Sequence, residues 1–284
     1  MRFGLFCIFI ILCICSLLLG AEQIQWSTLF SFSHESWLTL TASRIPRLIT
    51  IVLTGIGLAV CGVILQHIVR NKFVEPETSG GLDAAKLGIL VSLTLVPVTS
   101  TLSKMIFAII FCFIASLIYI AIIRRIRFRN TVLVPVIGLM YGSVLSALAE
   151  FYAYRFNILQ SMQGWLLGDF SKIVQGHYEV IYIIFPIVVL TYLFAHRFTV
   201  ISTTVITVGA IPFVGLVVPN LVALKYGENL AKTLPIVALG GASLLLICDI
   251  LGRSIIYPFE VPIGLTAGGV GGIIFLILIL REFR

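Results

Sequence analysis

Apolar residues run along this chain in long blocks divided by short polar breaks. The blocks fall at 3–20, 48–69, 83–98, 105–123, 131–152, 180–195, 213–225, 234–251 and 263–280. None alternates with the period of two that a membrane barrel strand shows, and a helical crossing takes about 20 apolar residues. The pattern predicts an all-α, polytopic helical membrane bundle forming one transmembrane domain over 1–284. One further apolar stretch, 198–210, holds thirteen residues and is short for a crossing. The opening block resembles a signal peptide. Its apolar core is longer than a usual h-region and no clear cleavage site follows, so it reads as an uncleaved first helix.

Composition agrees with the pattern. Hydrophobic residues make up 60% of the chain and charged ones 11%, with a mean hydropathy of +1.14. A soluble domain of this length could not bury so much apolar surface. The net charge of +7 comes from basic residues scattered between apolar blocks, which gives no nucleic-acid surface. With the N-terminus inside and ten crossings, the short stretch serving as the seventh, thirteen Lys and Arg lie on the cytoplasmic side and six outside. The cluster Arg124, Arg125, Arg127 and Arg129 carries much of that bias. The mixed segment 154–176, with Trp165 among polar residues, reads as an external interfacial helix.

Candidate chemistry is sparse. The six cysteines sit in apolar blocks without CxxC or Cys/His metal spacing, so no metal site and no resident cofactor are expected. There is no GxxxxGK[ST] phosphate loop, and the chain reads as a non-enzyme that does not itself bind ATP in that manner. Gly55, Gly57 and Gly62, followed by Gln66, describe a helix that packs closely against neighbours. Gly138, Gly142 and Ser146 form one small-residue stripe, continued by Glu150; Gly264, Gly268 and Gly272 form another. Each stripe serves either packing within the subunit or a subunit interface or translocation path. Asp249 and Arg253 stand at i and i+4, the favoured order for a helical ion pair. Glu260, between Pro258 and Pro262, suits the first turn of the helix starting near Ile263. Arg44, Arg47 and Arg253 fall at external helix ends, against the general charge bias, where positive charge can receive an acidic partner.

These pieces resemble the FecCD-type permeases of iron-siderophore and cobalamin ABC importers over nearly the whole length. The resemblance rests on RxPR (Arg44, Pro46, Arg47), Gln66 with Arg70 and Asn71, WLLG (Trp165–Gly168), FVGLVVPN from Phe213, Asp249 with Arg253, and Pro258, Glu260, Pro262 and Gly264. Finer details look most like permeases for catechol-type siderophores such as petrobactin. The resemblance implies a ten-helix permease in the bacterial cell membrane that imports a ferric siderophore. Its implied partners are a second permease subunit, identical or not, two ATP-binding subunits and a substrate-binding protein docking on Arg44, Arg47 and Arg253. One departure stands out: relatives carry a cytoplasmic coupling loop and a full seventh helix after the sixth, and roughly 30 residues are absent here near 198–202, about a short helix and half a span. A truncated seventh helix follows. The alternatives are a transport-incompetent deletion form and a secondary transporter using Glu150 and Asp249 as ion-coupled carboxylates.

Overall fold

A computed structural model describes residues 2–19, 37–38, 40–69, 71–96, 101–125, 133–160, 162, 181–193, 211–257 and 259–282. Each of the nine apolar blocks appears there as an α-helix: α1 (Arg2–Leu18), α2 (Ile45–Val69), α3 (Gly81–Leu95), α4 (Thr101–Arg125), α5 (Leu133–Arg155), α6 (Ile181–Leu193), α7 (Val214–Tyr226), α8 (Leu230–Ile255) and α9 (Ile263–Glu282). A π-helical turn, Leu40–Arg44, leads into α2, and a 3-10 turn, Pro76–Ser79, precedes α3. Five helical stretches among the described residues are long and apolar enough to cross a membrane, within α2, α4, α5, α8 and α9; Phe3–Leu18 and Val214–Tyr226 are shorter. The thirteen-residue stretch 198–210, the Trp165 segment and Arg127 with Arg129 lie outside the described residues.

The helices overrun the apolar blocks where their ends are polar. α8 begins at Leu230 because the Asn229 side chain accepts from the Lys232 N–H, satisfying a donor that the helix's first turn leaves open. α2 begins at Ile45, which carries Arg47 into its first turn.

Two groups of helices build the bundle. α2 and α8 form the centre of the first, with α1, α6, α7 and α9 around them. α3, α4 and α5 form the second, and the turn after α2 touches α2, α3 and α5. Ile51, Leu58, Val60, Val237, Leu245 and Leu246 fill the main core, while Leu90, Ala149, Ala153 and Met162 form a smaller one between α3 and α5. In a bilayer, apolar burial between helices is weakly driving, so close backbone approach matters more. The glycines of α2 supply it. A Cβ on Gly55 would lie 2.6 Å from the Gly241 carbonyl oxygen of α8, and one on Gly62 only 1.9 Å from the Gly215 oxygen of α7.

α7 is a half-helix. Thirteen residues at about 1.5 Å each reach about 20 Å, short of a core of about 30 Å. It starts beside Gly62, well inside α2, and Phe213 ahead of it takes a left-handed φ of 68°. The backbone donor just ahead of its buried first turn is met from a distance: the Phe213 N–H donates to Glu75 Oε2 at 3.2 Å. Gln66 Nε2 donates to the Gly215 oxygen at 3.3 Å, and Asn220 Nδ2 to the Lys72 oxygen at 2.8 Å. The turn after α2 therefore climbs alongside α7 and holds it.

Candidate functional site

The two ends of the main group differ in kind. At one end meet the C-terminus of α1, the start of α2, the end of α8 and the start of α9. At the other meet Lys72, Glu228, Lys225 and Arg281, from the turn after α2 and the ends of α7 and α9.

Arg44, Arg47 and Arg253 come together at the first end, as four helix termini converge there. Arg44 Nη1 donates to the Leu17 and Leu18 carbonyls at 2.7 and 3.0 Å. Arg253 Nη1 donates to the Ser16 and Leu19 carbonyls at 3.1 and 2.6 Å, and its Nη2 to Ser16 Oγ at 2.8 Å. Two guanidinium groups thus close the last turn of α1, whose carbonyls have no partners within the helix and carry partial negative charge. Arg47 reaches the other way. Its Nη2 lies 2.8 Å from Asp249 Oδ1 and its Nη1 2.7 Å from Glu260 Oε2. Arg253 Nη2 completes the cluster by pairing with Asp249 Oδ2.

The local i, i+4 pair of Asp249 and Arg253 forms as the sequence predicts. Two expectations change. Arg44 and Arg253 do not extend outward; they are buried at 7% and 8% exposure because α1 packs across them. Glu260 does more than complement the start of α9, since Arg47 from 213 residues away takes its carboxylate. The polar cluster still has unspent capacity. Among the described residues Arg47 and Arg253 share the carboxylates of Asp249 and Glu260, and the buried Arg253 Nε has no hydrogen-bond partner there. Arg47 and Glu260, with side chains 14% and 26% exposed, are its members that reach the surface. Such an arrangement can bind an anion or a carboxylate-bearing surface.

The small-residue stripes lie elsewhere. A Cβ on Gly138 would meet the Thr78 oxygen at 2.0 Å and one on Gly142 the Asp83 Oδ2 at 2.8 Å, so the chain's own turn and α3 occupy that part of α5. Further along, Glu150 is exposed and accepts from Ser146 Oγ at 3.4 Å. On α9, Gly264, Gly268 and Gly272 are half-buried, with Pro212 3.5 Å from a Cβ on Gly268 and Phe213 3.8 Å from one on Gly272. Asp249, one of the two acids of the ion-coupled alternative, is held by two arginines instead of facing a cavity. Glu75 as the cap of α7 was not among the expected site residues. Only the turn-forming Pro76 beside it marks the place in sequence.

Comparison with known proteins gives a consistent result. The model of the FecCD transport family matches residues 8–204 and 198–281. The ferric-anguibactin transport system permease protein of Vibrio anguillarum is 59% identical over 310 aligned residues, covering 99% of each chain. The petrobactin import system permease protein of Bacillus subtilis is 40% identical, covering 98% of this chain and 97% of its own. A metal-chelate type ABC transporter solved in an inward-facing conformation superposes with a TM-score of 0.81 over 98% of both chains at 22% identity, a likeness of fold.

Proposed function

The chain belongs to the FecCD transport family, and from that premise we propose that it is the transmembrane subunit of an ATP-driven importer of a ferric siderophore. The observation that carries this reading is the 59% identity, end to end, with a permease whose name specifies ferric anguibactin. The petrobactin relative stands lower at 40%, so an anguibactin-like chelate is the first substrate to test. An ABC permease of this family is a multi-pass membrane protein that works with ATPase and substrate-binding partners. Here it lines the path together with a second permease subunit, and the ATPases bind the nucleotide.

The arginine end supports a docking role on the external side. Arg47 is the arginine at the rim, half in reach of solvent beside Glu260, where a carboxylate of a substrate-binding protein can meet it. Arg44 and Arg253 then act by fixing α1 and Asp249 beneath that surface. The expected experiment is uptake of iron-loaded anguibactin by cells whose own permease is deleted and which carry this chain with its partner subunits. Saturable, ATP-dependent uptake supports the reading, and uptake no greater than in cells without the chain overturns it.

A second reading has its own observation. The family model matches in two stretches that overlap at 198–204, and the alignment with the Vibrio permease runs over 310 positions, more than the chain's 284 residues. Both support a missing piece near 198–202, where relatives hold the coupling loop. In that reading the chain inserts and pairs but couples ATP hydrolysis poorly or not at all.

A further inference from the structure

At the end of the bundle opposite the arginine cluster, a groove of about 660 Å³ opens between α7 and α9. Its mouth carries Lys72, Lys225 and Arg281 against a single acid, Glu228. Lys72 pairs with Glu228 at 3.2 Å, and Lys225 and Arg281 are both exposed. Away from the mouth the walls turn apolar, with Leu221, Leu224 and Ile277 exposed at 42%, 63% and 59%. Phe73 crosses Phe275 edge to face, with centroids 6.1 Å apart, and so makes part of the wall rigid. The volume is that of a small-molecule site, about 300–1,000 Å³.

We propose that this groove is a binding site for an anionic phospholipid, its phosphate on Lys225 and Arg281 and an acyl chain along Leu221, Leu224 and Ile277. The polarity gradient selects the occupant. Lys225 and Arg281 stand in the last turns of α7 and α9, and the apolar walls run back along both helices. The charge count places this end on the cytoplasmic side, where basic pockets between membrane helices receive anionic headgroups. A soluble acidic partner could reach the rim but not the apolar wall inside the bilayer. A ligand with one anionic head and an apolar tail satisfies both parts. The site does not depend on which chelate is carried.

The test uses the purified full-length permease in detergent, titrated with phosphatidylglycerol or phosphatidylcholine and followed by native mass spectrometry. A retained phosphatidylglycerol with about tenfold preference over phosphatidylcholine is expected. The K225E/R281E pair should abolish the preference, while K232E, a charge change at the same end outside the groove, should leave it intact. Leu224→Trp, at an exposed position, should fill the apolar wall and lower phosphatidylglycerol retention at least fivefold without altering charge, even if the double variant fails to fold. Equal retention of the two lipids, an equal loss in K232E, or competition by glycerol phosphate as strong as by the lipid would overturn the proposal. So would full retention in Leu224→Trp, which would leave the rim to a protein partner.

Discussion

Asp249 holds two arginines at once with a side chain only 1% exposed, so its loss strands charge in a buried place. Removing one partner of a buried ion pair typically costs about 3–5 kcal/mol. Asp249→Asn should therefore lower the melting temperature of the detergent-purified permease far more than Glu260→Gln, whose carboxylate is partly hydrated and worth about 1 kcal/mol or less. Equal melting of the two variants would contradict the cluster's geometry. Docking is tested best at Arg47, since Arg44 and Arg253 also close α1 and their loss would confuse folding with binding. Arg47→Gln leaves Asp249 paired with Arg253 and should weaken substrate-binding protein association by about 1–3 kcal/mol, with a shallower salt dependence. Unchanged affinity and salt slope would assign Arg47 to structure alone. The Asp249–Arg253 pair was legible in sequence because both residues lie on one helix face. The links of Arg47 to Glu260 and of Arg253 to Ser16 were not, because they span 213 and 237 residues and no local pattern encodes them.

At the scale of elements, α7 depends on features that its own sequence hardly displays. Its start is pressed against Gly62, where an added Cβ would come 1.9 Å from a backbone oxygen that cannot swing aside. Gly62→Ala should cost about 1–3 kcal/mol as overpacking, and Gly62→Leu should prevent a folded permease from accumulating. Fluorescence-detected size exclusion after heating separates those outcomes from a neutral one. The Phe213 N–H is capped by Glu75 from the turn after α2, so Glu75→Ala should cost about 1 kcal/mol and speed amide exchange chiefly at 213–217. Exchange that rises uniformly along α7 would mean that packing against α2, and not the cap, holds its start. All nine described helices were legible, since apolar runs of this length have few other solutions in a bilayer. Their ends were less so. Hydropathy stops at the polar turns where Asn229 caps α8 and Arg47 enters α2, although hydrogen bonding continues through them.

For the whole molecule, the placement of the two ends bears on how the chain must be threaded. The C-termini of α2, α7 and α9 share the Lys72 end, while α1 and α8 finish at the arginine end. The charge bias predicts a cytoplasmic Lys72 end, so a cysteine replacing Arg127 in a cysteine-free background should be unreactive to impermeant reagents applied to intact cells. Labelling from outside would reverse the topology. Between α6 and α7 the sequence allots twenty residues, 194–213, and the short apolar stretch 198–210 within them holds thirteen. Thirteen helical residues reach about 20 Å against a core of about 30 Å, and tilting shortens that reach further. α7 itself is a half-helix starting well inside the bundle. Coupling is a separate matter, since the second reading places the missing piece where the coupling loop is expected. On that second reading, normal insertion and pairing are expected together with weak substrate-stimulated ATP hydrolysis and weak ferric-siderophore uptake in a reconstituted complex. Grafting the segment that the Vibrio permease carries at this place after Thr199 should raise both several-fold without changing the amount of assembled complex. Strong and equal uptake with and without the graft would show that the short connection transmits the ATPase stroke by itself, and the deletion would then be a change of length without loss of function.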